Sequence, residues 1–325
     1  MKTKKWIIAA ICFIVAGGII FVSMMSIINW DFNSLYTTEY ITKVYRIDES
    51  FKKVLINANE SNITFVKGDS ECLVDVKQPA KVGHTVKVQN ETLTIEINDT
   101  RKWYEQITVF SFRTPEITVH LPQDEYESLV INSSTGNIEI PNNFSFKSVD
   151  IKASTGDVNC KAAVVGKLKI KLSTGDINIE NTIVGENVTA DSISLNVSTG
   201  SINVKNLDCG GKVEANVSTG KTNFINIKCN NLISNGSTGD INLKNVDAGK
   251  KFTITRSTGD VNFDGCDADE LFITTDTGDV KGTLLTNKVF ICKTDTGDID
   301  VPKTTTGGKC EITTDTGDIQ INVGK

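Results

Sequence analysis

Ten copies of a motif, Thr-Gly followed by a polar residue and usually by Ile or Val, punctuate the C-terminal two-thirds of this 325-residue chain. Their glycines are Gly136, Gly156, Gly175, Gly200, Gly220, Gly239, Gly259, Gly278, Gly297 and Gly317, spaced by 20, 19, 25, 20, 19, 20, 19, 19 and 20 residues. So tight a period over so long a stretch is the mark of a stacked repeat, in which each unit hides its apolar face against the next.

Aligned on the glycines, the repeats show columns of one character. Seven residues before the glycine stand Leu129, Val149, Leu168, Ile193 and Val213; two residues after it stand Ile138, Val158, Ile177 and Ile202. Apolar and polar residues alternate on both sides of the dipeptide, which is the period of a half-buried strand. A shorter apolar set follows seven residues on, at Ala163, Leu207, Ile227 and Val246. Each repeat therefore reads as two clear strands and one short one around an interior, with the glycine as the corner that tolerates positive φ. Stacked in parallel, such coils make an all-β parallel β-helix or β-solenoid of about ten turns, right-handed by the general preference of parallel crossovers. The 25-residue interval before Gly200 implies an outward loop near residues 181–191.

Residues 45–128 are less regular. Ile56 to Phe65 overlay Ile131 to Ile140 with Ser61 in the glycine's place, which marks a degenerate first coil inside an N-terminal β cap. The C-terminus stops one strand past Gly317, so an open end there could associate end to end with a second copy or recruit a partner.

Ahead of the cap, Lys2, Lys4 and Lys5 precede a run from Trp6 to Ile28 with no charge. As a helix it spans ~34 Å, enough for a hydrocarbon core of ~30 Å. The run is long for a cleaved signal peptide, so an uncleaved signal anchor is expected, with lysines inside and the remainder outside. The expected organisation is a cytoplasmic tail at 1–5, a transmembrane anchor at 6–28, a linker at 29–44, the cap at 45–128 and solenoid repeats over 129–325. That places the protein in the cell membrane, single-pass, with an extracytoplasmic C-terminal domain. The net charge of −6 combines three lysines in the first 30 residues with −9 over the rest. An acidic ectodomain without a basic stripe argues against nucleic acid as a partner.

Chemistry-bearing residues are sparse. Asp240, Asp260, Asp279, Asp298 and Asp318 follow their corner glycines in five successive repeats, with Asp157 and Asp176 earlier. Stacked like charges ~5 Å apart could be relieved by Ca²⁺, making these five the candidate metal ligands; as exposed turn residues they need no metal. No other cofactor is expected. Cys209 and Cys229 should lie side by side on adjacent coils, as a thiol ladder rather than a disulfide, because parallel neighbours bridge awkwardly. Lys221 and Arg256 are the clearest breaks in the columns. The two histidines, His84 and His120, both fall in the cap region, and no catalytic spacing accompanies them. An enzyme is not expected.

Together the strand Ile117-Thr-Val119-His-Leu121-Pro122, the following Leu129 to Ile138 and the repeated Ser-Thr-Gly-Asp-Ile resemble the bacterial putative-adhesin β-strand-repeat family, an uncharacterised domain family that includes LiaG-like envelope proteins. The resemblance covers roughly residues 45–325. It implies a membrane-linked β-solenoid serving adhesion or envelope interaction, with an envelope protein or a glycan as partner. The alternatives are an accessory of an envelope-stress signalling system and a carbohydrate-active enzyme built on a β-helix.

Overall fold

Alternating columns become stacked strands in the computed structural model, which describes residues 2–30, 39–99, 114–180 and 191–324. The predicted outward loop falls outside the described residues apart from Asp191. The 23 described strands belong to one continuous sheet that winds about a common interior, so the parallel β-solenoid expected from the repeat is the fold. Each coil takes its name here from its corner glycine.

Register follows the glycine alignment residue for residue. Val149 of the Gly156 coil pairs with Leu129 on one side and Leu168 on the other, and Ile151 with Ile131 and Ile170. Further along, Val213, Leu232, Phe252 and Leu271 continue the same column. Inward residues of all coils merge into one hydrophobic core that runs the length of the stack. Three of the middle coils bend again six residues after the corner, where Asn206, Asn226 and Asn245 hold φ of 53°, 56° and 51°. Asparagine tolerates this left-handed conformation better than other side-chain-bearing residues, and the bend delivers the short third strand.

The corner glycine is fixed twice over. Gly220 sits at φ 141°, and a Cβ there would overlap the carbonyl oxygen of Gly200 in the preceding coil. Each corner thus rests directly on the backbone of the one before it.

At the N-terminal end strands Lys53–Asn57 and Asn62–Lys67 stack on the Gly136 coil. Ile56 pairs with Ile131, Ile63 with Ile138, and the buried Ser61 donates its N–H to Thr135 O. Beyond them lie strands Thr92–Asn98 and Glu116–Leu121, which then pair with antiparallel strands Gly83–Gln89 and Cys72–Pro79. Strand Tyr40–Ile47 adds antiparallel to the last of these. Reversing direction ends the parallel stacking and closes this end of the core.

The C-terminal end differs from the sequence expectation. Strand Gly308–Thr316 pairs with Leu271–Thr277 on one side and Lys288–Thr296 on the other. Ile319–Val323 is likewise sandwiched between the Gly278 and Gly297 coils. The last coil in sequence is therefore the second last in space, and the Gly297 coil forms the free end. Gly307 and Gly308 make this entry possible, since a Cβ on either would overlap a carbonyl oxygen, that of Asn287 or of Asp269. Lys288, buried, reaches Asp267 at 2.7 Å across the inserted strand and clasps the two outer coils together.

Helix Lys2–Ile27 is the one described helix, and it is long and apolar enough to cross a membrane.

Candidate functional site

Stacking turns single outward positions into ladders, and these ladders make an extended surface feature along the rod. Four residues before the corner, Asn216 Nδ2 donates to Asn196 Oδ1 and Asn235 Nδ2 to Asn216 Oδ1, at 2.9 and 2.8 Å. Two residues before it runs a column of serines, from Ser134 to Ser257. Between these columns lies a groove along the rod, in two hollows of about 450 and 390 Å³ that share Lys171. It extends from Asn57 to Thr255, across eight coils. Amides, hydroxyls and the lysines 152 and 171 recur along it at the coil spacing of ~4.8 Å.

A second asparagine ladder stands three residues after the corner. Asn178, Asn203, Asn223, Asn242 and Asn262 each donate Nδ2 to the residue one coil back, at 2.8 to 3.1 Å. Its early coils line a polar hollow of about 600 Å³ with Lys161, Glu180 and Lys205. Neither ladder was singled out from the sequence. The signal was there, as Asn recurring at a fixed offset from the glycine.

The aspartate column has a different geometry from a plain row of repelling charges. Asp240 Oδ1 accepts the N–H of Asp260, Asp260 Oδ1 that of Asp279, Asp279 Oδ1 that of Asp318, and Asp318 Oδ1 that of Asp298, at 2.8 to 3.2 Å. The spatial order is thus 240, 260, 279, 318, 298, because of the inserted coil. One oxygen of each of the first four is spent on holding the next corner. Lysines meet the outer oxygens: Lys221 reaches Asp240 at 3.0 Å, and Lys281 lies 2.7 Å from Asp279 and 3.8 Å from Asp318. Hydrogen bonds from these lysines hold the Asp240 and Asp279 carboxyls below the usual carboxylate range. Among the described residues no group of three or more His, Cys, Asp or Glu side chains is placed to hold a metal ion.

Arg256, isolated in sequence, is not isolated in space. Its side chain is only 1% exposed and occupies an inward column. Its guanidinium donates to Thr222 Oγ1 at 3.0 Å and to Ser234 Oγ at 2.9 Å, and it fills the space that a Cβ on Gly236 would need. Three further column breaks, Thr222, Ser234 and Gly236, thus converge on one buried cation. Burial pulls the guanidinium down to about 10, against the pull of Asp240 in the other direction. Gly236 also lines the groove, so this charge lies directly beneath its floor.

Cys209 and Cys229 are register partners, and neither forms a disulfide. Burial raises the Cys229 thiol to about 12, so the ladder is an unreactive one. In the cap, His120 Nε2 lies 3.2 Å from Asp75 Oδ2 beside a small hollow of about 240 Å³. His84 is buried against Gln78, on the strand that pairs it with Ile97 at the N-terminal end of the groove.

A model of the Toastrack DUF4097 family matches residues 51–223 and again 187–325. Among solved structures, a putative adhesin from Parabacteroides merdae is 12% identical with a TM-score of 0.49, over 88% of this chain and 97% of its own. A putative adhesin from Parabacteroides distasonis is 13% identical with a TM-score of 0.46, over 87% and 98%. A putative lipid binding protein from the same species is 12% identical with a TM-score of 0.31, over 86% and 97%. No curated protein matches the sequence.

Proposed function

The chain belongs to the Toastrack DUF4097 family, and from that premise we propose that it is a non-enzymatic, membrane-anchored β-solenoid that stands outside the cell and binds hydroxyl-rich envelope glycans along its axial groove. The observation that carries this reading is the groove itself, whose amide and hydroxyl columns repeat over eight coils. Amides and hydroxyls both donate and accept, which suits a polyhydroxylated polymer better than a compact ligand. Lys152, Lys171 and the charge of Arg256 below the floor favour a glycan with acidic substituents. The rigid scaffold supplies the pitch, and the exposed columns supply the contacts. The N-terminal helix anchors the rod, with Lys2, Lys4 and Lys5 on the cytoplasmic side.

The test is binding of the full-length chain in nanodiscs to an array of bacterial envelope polysaccharides. Replacing Ser198 and Ser218 by Trp fills the groove from exposed positions and should weaken binding at least tenfold. Asp247→Trp, on another face, should leave it unchanged. Equal binding by the groove-filled and wild-type chains overturns the reading.

A further inference from the structure

The free end of the rod carries most of the exposed apolar surface outside the N-terminal helix. Among the described residues beyond that helix, the exposed large hydrophobics are Trp30, Val44, Val66, Leu285, Val289, Ile291 and Ile299, and the last four lie in or just before the Gly297 coil. Two features lie beside them. Among the described residues, strand Lys288–Thr296 pairs only with Gly308–Thr316, and Ile299–Asp300 only with Ile319–Val323, so neither outer edge has a described strand against it. Phe290 and Cys292 are only partly buried, although their column mates Cys310 and Ile312 are fully covered one coil below. The core is open at this end.

We propose that this coil is a homophilic docking tip, at which two copies of the chain held in opposing membranes meet end to end. The inference rests on the anchored, outward-facing reading above and names a second partner for it. A coil of the same sequence is the occupant whose apolar columns and strand edge match this surface. The opposite end of the rod finishes in antiparallel strands, so a head-to-tail contact there could not continue the parallel stack. The contact is therefore isologous, and it closes at two copies rather than growing into a filament.

Charge supports the same arrangement. A two-fold axis sets the edge strands of the two copies antiparallel. Lys293 and Asp295 flank Thr294 on the exposed side and lie 3.0 Å apart. With the axis through Thr294, each Lys293 faces the other copy's Asp295, twice over. Lysine on an edge strand also guards against unwanted pairing; the ordered Lys-Thr-Asp triplet makes that edge complementary to itself and to little else.

Topology decides where the contact forms. The strand that follows the N-terminal helix, Tyr40–Ile47, lies at the sealed end, so the tip is the end away from the membrane link. Parallel rods in one membrane cannot meet tip to tip; rods in facing membranes can. Individual contacts of this size are weak, and many copies on a surface sum to adhesion.

The experiment uses the full-length chain in two settings. In detergent, sedimentation should show a monomer–dimer equilibrium with no larger species. In proteoliposomes, light scattering should show vesicle clustering that depends on protein density. Lys293→Asp and Asp295→Lys should each cluster at least tenfold less than wild type. Vesicles of one variant mixed with vesicles of the other should recover clustering, because the mixed pair restores both ion pairs; this recovery also shows that each variant is folded. Clustering indifferent to both variants, or mixing without recovery, overturns the tip. A monomer at every concentration in detergent overturns it as well. Dimers in detergent without vesicle clustering uphold the tip and overturn the outward anchoring.

Discussion

His84 shows what a single buried polar residue imposes on this molecule. Its Nδ1 bonds Gln78 Oε1, its carbonyl accepts Tyr45 OH at 3.1 Å, and its Nε2 has no hydrogen-bond partner. Burial, and then the nearby charge of Lys43, push it down to about 4 from 6.5. A folded value below the unfolded one means that the unfolded chain takes up the proton first. The contribution of His84 to stability is therefore complete above pH 6.5 and is lost as pH falls towards 4, on the order of 3 kcal/mol in all. Unfolding by denaturant at pH 7, 5.5 and 4 should show that loss, and His84→Phe should flatten its part of the profile. Arg256 teaches a second lesson at this scale. Its departure from an apolar column was plain in the sequence, yet Thr222 lies 34 residues and Ser234 22 residues away. Only stacking brings them to one guanidinium. The same holds for the aspartates, whose spacing was legible while their acceptance of the next corner's N–H was not.

Among the elements, the terminal coils depart furthest from the simple repeat. The Gly317 coil has the same columns as its neighbours, so nothing local distinguishes insertion from simple addition at the end. Its placement depends on Gly307 and Gly308, which alone can pass between backbone carbonyls, and on the Lys288–Asp267 clasp that bridges over it. Deleting residues 308–325 would trim one coil from a simple stack. Here it removes the only described partner of the Lys288–Thr296 strand. Hydrogen exchange should then show lost protection from residue 288 through 300 as well, with a fall of several degrees in Tm; protection retained over 288–300 would count against the inserted arrangement. The degenerate coil at Ser61 was readable for the opposite reason: its columns align with those of the Gly136 coil, and the two are direct neighbours.

For the molecule as a whole, stability is a sum over neighbouring coils, with each coil marginal alone. Excising Asn137 to Gly156 joins Gly136 to Asp157 and preserves every column. The product should fold cooperatively into a rod shorter by ~4.8 Å, with a lower Tm, as checked by small-angle scattering and thermal melts. Excising ten residues instead, from 137 to 146, should leave no cooperative transition, because it sets the inward columns of one coil against the outward columns of the next. By itself the sequence determined the coil, its corner, its inward columns, the apolar N-terminal helix and the hidden first turn, because all of these are written in spacings along one chain. The tertiary structure alone decided the order of the last coils, the ladders that become a groove, the company around Arg256 and which end stays open. Those depend on which coil lies against which, and near-identical repeats carry almost no local record of their neighbours.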